Sequence, residues 1–154
     1  MNVFFDVDNT ILGGLDGSLR PGTREVFEQL LGRGHDLYVW SGMGVRSADV
    51  RRLGLEPLVT GVYQKPISHF EDGLVRYGIP VMPHFVVDDH PEIVEHFGGH
   101  CIAAYLRRGR GYYGDADQEM YAIPGHIDAY LANRADLSEW GASVQSVPSE
   151  DGGS

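Results

Sequence analysis

At 154 residues, 42% hydrophobic and 22% charged, the chain is the size of one globular domain with a sizeable core. Its formal net charge of −10 disfavours nucleic acid or another polyanion held through a broad basic face, although one local cation suffices for a small phosphorylated ligand. No apolar run approaches the ~20 residues of a membrane span, no basic stretch leading into an apolar core opens the sequence, and the one cysteine, Cys101, excludes an internal disulfide and fits a cytoplasmic setting.

The first predicted element is a buried strand over Val3–Val7. It carries the run Phe4-Phe5-Asp6-Val7-Asp8-Asn9-Thr10, with two carboxylates two residues apart where strand gives way to loop. Side chains at i and i+2 of a strand share a face, so Asp6 and Asp8 are expected to aim at one small volume. Two like charges that close repel, and the pair calls for a cation or a shared proton. A Gly-rich stretch follows, with the hairpin signal Asp16-Gly17 inside a flap from Leu12 to Leu19. After Pro21, the stripe Val26, Phe27, Leu30 and Leu31 predicts a helix over Thr23–Arg33, ended by Gly32 and Gly34. Strand Asp36–Trp40 ends at Ser41-Gly42, and a helix over Val45–Leu53 stops at Gly54.

Leu58–Tyr63 reads as a short strand leading to Lys65-Pro66, and Ile67–Tyr77 as a helix stopped by Gly78. Phe85-Val86-Val87 is a strand with Asp88-Asp89 at its carboxyl end. The next helix, Pro91–Phe97, has proline in its first turn and Glu92 near the positive end of its dipole. Cys101–Ala104 supplies a further strand, in which Cys101 is expected to be a small core residue; no neighbouring cation favours a reactive thiolate. Gln118–Leu131 has helical character that Pro124-Gly125 should break or kink. A single domain is expected over 1–135, with 136–154, Ser- and Gly-rich from Ser143, as a flexible tail. The alternation predicts an α/β fold: a three-layer, Rossmann-like parallel sheet covered by helices on both faces.

In open sheets of this kind ligands bind beyond the carboxyl ends of the strands. There the polar residues collect: Asp6 and Asp8, Ser41, Lys65, then Asp88 and Asp89. Taken singly, an Asp-Asp pair is a common helix cap and Ser-Gly a common turn; their joint position after successive strands points to a site. Lys65 adds to this, being the only lysine beside eleven arginines. A compact ammonium serves a tight site that a planar guanidinium does not fit, so Lys65→Arg should be poorly tolerated.

In this order, Asp6-Val7-Asp8-Asn9-Thr10, the strand-end Ser41, Lys65-Pro66 and the strand-end acids Asp88-Asp89 resemble the haloacid dehalogenase-like hydrolases, from about Phe4 to Pro91. The resemblance implies a phosphatase rather than a dehalogenase, because an acid at the position of Asp8 marks the family's phosphatases. Asp6 would attack phosphorus and form a phosphoaspartate, splitting one difficult step into two. Asp8 would act as general acid and then general base. Ser41, Gly42 and the N–H groups at the start of the following helix would hold phosphate oxygens. Lys65 would bind the phosphoryl group and neutralise charge on it and on the nucleophile.

The resemblance also implies magnesium, held by Asp6, the backbone carbonyl of Asp8 and Asp89. Asp88 would either bind it through water or orient Lys65. The intervals from Thr10 to Ser41 and from Ser41 to Lys65 have no room for a cap domain, so a capless member is expected. The flap from Leu12 to Leu19 is then the local lid; a neighbouring subunit, or a macromolecule displaying the phosphate, could also exclude water. The expected activity is magnesium-dependent hydrolysis of a phosphate monoester, on a small molecule or a macromolecule. The alternative is a regulatory member that binds metal or a phosphorylated ligand without turnover, which would have no use for Asp8.

Weaker signals remain open. His96 and His100 have i, i+4 spacing, but Gly98-Gly99 between them argues for surface histidines over a metal site. Arg107, Arg108 and Arg110 follow the last strand on the side of the expected site, as an anion-recognising group or as a solvated loop, and Tyr112-Tyr113 is equally ambiguous.

Overall fold

The computed structural model describes residues 1–13, 15–106 and 117–145, with 135–145 described by backbone alone. Arg107, Arg108, Arg110, Tyr112, Tyr113 and the end of the tail from 146 lie outside the described residues. The apolar runs form five strands: β1 (Asn2–Asp6), β2 (Asp36–Ser41), β3 (Gly61–Gln64), β4 (Phe85–Asp88) and β5 (Gly99–Cys101). They pair in parallel throughout, in the order β3-β2-β1-β4-β5. The helices are α1 (Thr23–Gly32), α2 (Ser47–Arg52), α3 (Phe70–Arg76), α4 (Pro91–Phe97) and α5 (Ile123–Gln145). The fold is the α/β, Rossmann-like arrangement that the alternation predicts.

A parallel sheet is covered on both faces, which is why these strands read as unbroken apolar runs. Successive residues of β1 divide between two cores. Val3 and Phe5 pack with Val26, Phe27 and Leu30 of α1 and with Ile123 and Ile127 of α5. Phe4 faces the other way, stacked on Tyr38 and tilted against Trp40, with Leu74 of α3 and Ile93 of α4 completing that core. Chain order reverses at β1, whose neighbours are β2 on one side and β4 on the other. The crevice at their carboxyl ends is the topological switch point, where a ligand has most room to enter.

Several boundaries differ from expectation for local reasons. The last strand lies earlier, at Gly99–Cys101, because the chain meets β4 at Gly99. A side chain there would run into the Val86 backbone, 2.0 Å from its carbonyl oxygen, and the φ of +149° suits glycine alone. The thiol of Cys101 is consequently exposed at the sheet edge rather than in the core. Burial and the acids Asp88, Asp89, Glu92 and Glu95 push its pKa up, so the absence of thiolate activation holds. Pro124 does not kink a helix: a 3₁₀ turn over Glu119–Ala122 leads into α5, whose first turn accommodates the proline. The helical backbone then continues to Gln145, past the expected start of a tail at 136.

The flap forms as a tight loop. Leu12 bridges to Leu19, Gly13 N–H donates to the Ser18 carbonyl at 2.7 Å, and Asp16 accepts from the Ser18 N–H and hydroxyl. Behind it, the fully buried Arg20 donates to the Thr10 and Ala103 carbonyls and pairs with Asp117. That guanidinium ties the loop after β1 to the chain after β5. Among the described residues no helix is long and apolar enough to cross a membrane.

Candidate active site

The carboxyl ends of the strands bring the predicted residues together. Asp6 closes β1 and Asp88 closes β4, in adjacent strands whose register pairs Phe5 with Val87. Lys65 follows β3, held by its N–H to the Ser41 carbonyl at 2.9 Å. Its Nζ donates to Asp6 Oδ1 at 3.0 Å and to Asp88 Oδ2 at 2.8 Å, and all three side chains are buried. Burial works against the ammonium, but Asp6 and Asp88 more than offset it and hold the Lys65 pKa above its usual value. The Asp6 pKa also rises, from 3.8 to about 7, chiefly through burial and then through the charge of Asp88; Lys65 opposes the rise. The buried Thr10 hydroxyl lies 3.4 Å from Asp6 Oδ2.

Asp8 does not share a cation with Asp6. Extended backbone ends at Asp6, and the half-exposed Asp8 side chain borders the same pocket as Asp6 but at its open side. There Arg46 donates through Nη1 to Asp8 Oδ2 at 2.7 Å, and its Nε binds Asp49 at 2.7 Å. The repulsion expected between the two carboxylates is relieved separately, by Lys65 for one and by Arg46 for the other. Sequence reasoning missed Arg46. Its only signal was a lone arginine shortly after the strand-end Ser41-Gly42.

Asp6, Asp88, Asp89 and His90 place one potential ligand atom each within 4.8 Å of one another, a set that can hold a metal ion. Three carboxylates against one ammonium leave a formal deficit that a divalent cation matches. Asp89 Oδ1 is buried and accepts no hydrogen bond, and His90 Nδ1 lies 3.3 Å from it, so this oxygen is placed to serve as a ligand to a cation. Asp88 is already engaged: Oδ2 by Lys65, Oδ1 by the His90 N–H at 3.0 Å and the His90 ring at 3.2 Å. Asp88 contacts Lys65 and also belongs to the cluster that can hold a metal ion. Asp8 contributes no carboxylate oxygen to the set. His90 was not singled out from sequence; burial opposes its charge, yet Asp89 and Asp88 hold its pKa above the ordinary value. His96 and His100 do not converge, since His96 packs on Phe70 and Phe97 while His100 stacks on His126.

The phosphate-binding expectation needs one correction. α2 begins at Ser47 and is only six residues long, so no helix N-terminus reaches Ser41. The loop from Gly42 to Arg46 intervenes, and Ser41 Oγ accepts from the Met43 N–H at 3.1 Å. The Met43 and Gly44 N–H groups are thus turned back onto Ser41, while Ser41, Gly42 and Met43 line the pocket. Asp6, Asp8, Ser41, Gly42, Lys65 and His90 all border one open pocket of about 390 Å³, whose further wall is Met43, Pro66, Ile67, Phe70 and Ile93.

Compared with protein-family models, curated proteins and solved structures, the chain gives no match.

Proposed function

We propose that this chain is a magnesium-dependent phosphatase of the haloacid dehalogenase-like type, cleaving a phosphate monoester through a phosphoaspartate on Asp6. One observation carries the reading. Lys65 bridges Asp6 and Asp88 at the foot of an open pocket, while the neighbouring Asp89 and His90 complete a cluster that can hold a metal ion. A binding module needs no carboxylate clamped by an ammonium beside a second, solvent-facing carboxylate. That pairing supplies a nucleophile and an acid/base.

With Oδ1 held by Lys65 and Oδ2 beside Thr10, the Asp6 carboxylate is fixed in rotation and faces the pocket. Asp6 attacks phosphorus, the bond from phosphorus to the leaving oxygen breaks, and Asp8 gives that oxygen its proton. Water then attacks the phosphoaspartate, Asp8 takes the water's proton, and the bond between Asp6 and phosphorus breaks to release phosphate. Ser41, the Gly42 loop and Lys65 hold the phosphoryl oxygens as charge shifts onto them. Asp6 and Asp89 would hold magnesium, with the Asp8 backbone carbonyl; when bound, it neutralises the anions that meet there. Asp88 keeps Lys65 in place.

The test is phosphate release from p-nitrophenyl phosphate with and without magnesium, wild type against Asp6→Asn. Turnover that needs magnesium and falls on the order of 10⁴-fold or more in Asp6→Asn is expected. Unchanged turnover in Asp6→Asn rules out the covalent route. No magnesium-dependent turnover across a broad panel of phosphate esters favours the regulatory alternative.

A further inference from the structure

We infer that the pocket selects a compact aryl phosphate monoester whose ring carries no second anion, a specificity that rests on the phosphatase reading of the same site. The pocket is two-sided. Its floor is polar and ends in Asp6, Ser41 and Lys65, while the wall above the Gly42 loop is apolar: Met43, Pro66, Ile67, Phe70 and Ile93. Ile67 leans over the phosphate-binding loop so closely that a Cβ placed on Gly42 would lie 3.1 Å from its Cγ2. Any group ester-linked to a phosphoryl at Gly42 therefore leaves the floor alongside Ile67.

Met43 and Ile67 are 81% and 80% exposed, so this wall presents large apolar surface to solvent right at the mouth. A ligand ring would remove that surface from water. A flat ring also suits the Met43 thioether and the Phe70 ring better than an aliphatic group of the same size. Volume and charge restrict any substituent beyond the ring. A pocket of about 390 Å³ is at the small end of ligand sites, which span roughly 300–1,000 Å³. Among the described residues the cationic groups at the pocket already face acids: Lys65 on the floor binds Asp6 and Asp88, His90 lies beside Asp88 and Asp89, and nearby Arg46 binds Asp8 and Asp49. Glu92 borders the same opening. A second phosphate or a carboxylate on the leaving group would meet like charge.

Binding of non-hydrolysable phosphonates to the full chain in magnesium, followed by calorimetry, separates this from leaving-group chemistry. Phenylphosphonate should bind about tenfold more tightly than methylphosphonate, and more tightly than cyclohexylphosphonate. 4-Carboxyphenylphosphonate should bind several-fold more weakly than phenylphosphonate. Ile67→Ser should narrow the phenyl-to-methyl ratio several-fold; because the side chain is exposed, the fold should tolerate the change, and an unaltered circular dichroism spectrum checks this. Equal affinity for phenyl- and methylphosphonate, a cyclohexyl group at least as good as phenyl, or tighter binding of the carboxylated ring overturns the inference. In turnover, phenyl phosphate should match or exceed a capped tripeptide containing phosphotyrosine. A tenfold preference for the peptide overturns the compact ligand and moves the source to a protein. Phosphate release with no aryl preference defeats the specificity and leaves the phosphatase standing. Aryl-selective phosphonate binding without release from any ester defeats the phosphatase and leaves the ligand class.

Discussion

The floor and the rim of the pocket are built differently. Asp6, Lys65 and Asp88 are buried and come from strand ends or the residue just beyond one, and Lys65 binds both carboxylates, at 3.0 and 2.8 Å. Asp8, Arg46, His90, Met43 and Ile67 come from loops, and their exposure runs from intermediate to nearly complete. Breaking a buried ion pair strands a charge in low dielectric and costs about 3–5 kcal/mol, whereas an exposed pair contributes about 0–1 kcal/mol. Floor geometry is thus part of the folding free energy, and rim geometry is nearly independent of it. A change in the floor should register in both stability and activity; a change in the rim should register chiefly in activity.

The largest effect is expected at Lys65, where the floor can be broken without removing charge. Lys65→Arg keeps the cation but brings a planar fork into a buried site, and it loses the single point that serves both carboxylates. Phosphate release should fall on the order of 10²–10³-fold, and the melting temperature should fall with it. Near-normal turnover in this variant would remove the reason for a lysine at this position.

Next in size is a pH effect confined to the floor. The Asp6 pKa rises from 3.8 to about 7 on folding, so between those values the folded chain holds a proton that the unfolded chain has released. The stability linked to that proton is fully present below about pH 4 and is lost as pH rises through about 7. Asp6→Asn cannot titrate there. In the metal-free protein it should gain stability over wild type progressively from pH 4 to pH 7, by an amount thermal or urea unfolding resolves. A gap that stays flat with pH would mean that Asp6 is not destabilised by its burial and by Asp88. Magnesium should narrow the gap near neutral pH, by favouring the ionised carboxylate.

This division also explains what the sequence made legible. Strand-end polar residues stand out because an apolar run stops at them, so Asp6, Ser41, Asp88 and Asp89 could be located, and Lys65 by its rarity. The sheet itself was legible for the same reason, since β1, β2 and β4 are continuous apolar runs. Rim residues carry no such mark. Arg46 reaches Asp8 only because the Gly42–Arg46 loop delays α2, and loop geometry has no periodicity to read. His90 joins the acids through its own backbone N–H, one residue past the strand-end pair. The misplaced β5 and the exposed Cys101 come from one contact, the approach of Gly99 to Val86, which no local pattern encodes.

The two smallest predicted effects oppose each other across the same comparison. Arg46→Gln removes the guanidinium from Asp8 at the rim. Turnover should fall about tenfold, because the acid/base loses its fixed position, and the pH–rate profile should change shape with it. The melting temperature should fall less than for Lys65→Arg, since these pairs, with side chains 20–39% exposed, are still reached by solvent. Arg46→Lys, which restores a donor but not the fork to both Asp8 and Asp49, should recover part of the rate.

Thr10→Val makes the converse change in the floor. It deletes a long 3.4 Å contact to Asp6 Oδ2 at a position with no solvent access, so water cannot replace the lost donor. Valine is nearly isosteric, and the cost reduces to a weak hydrogen bond to a carboxylate, about 1 kcal/mol of stability. Turnover should drop only a few-fold, because Lys65 still fixes the other oxygen of Asp6. If Thr10→Val instead lowered the rate more than Arg46→Gln while leaving stability intact, the division between a fold-determined floor and an adjustable rim would be wrong. Thr10 would then have to be counted with the groups that touch the reacting phosphoryl.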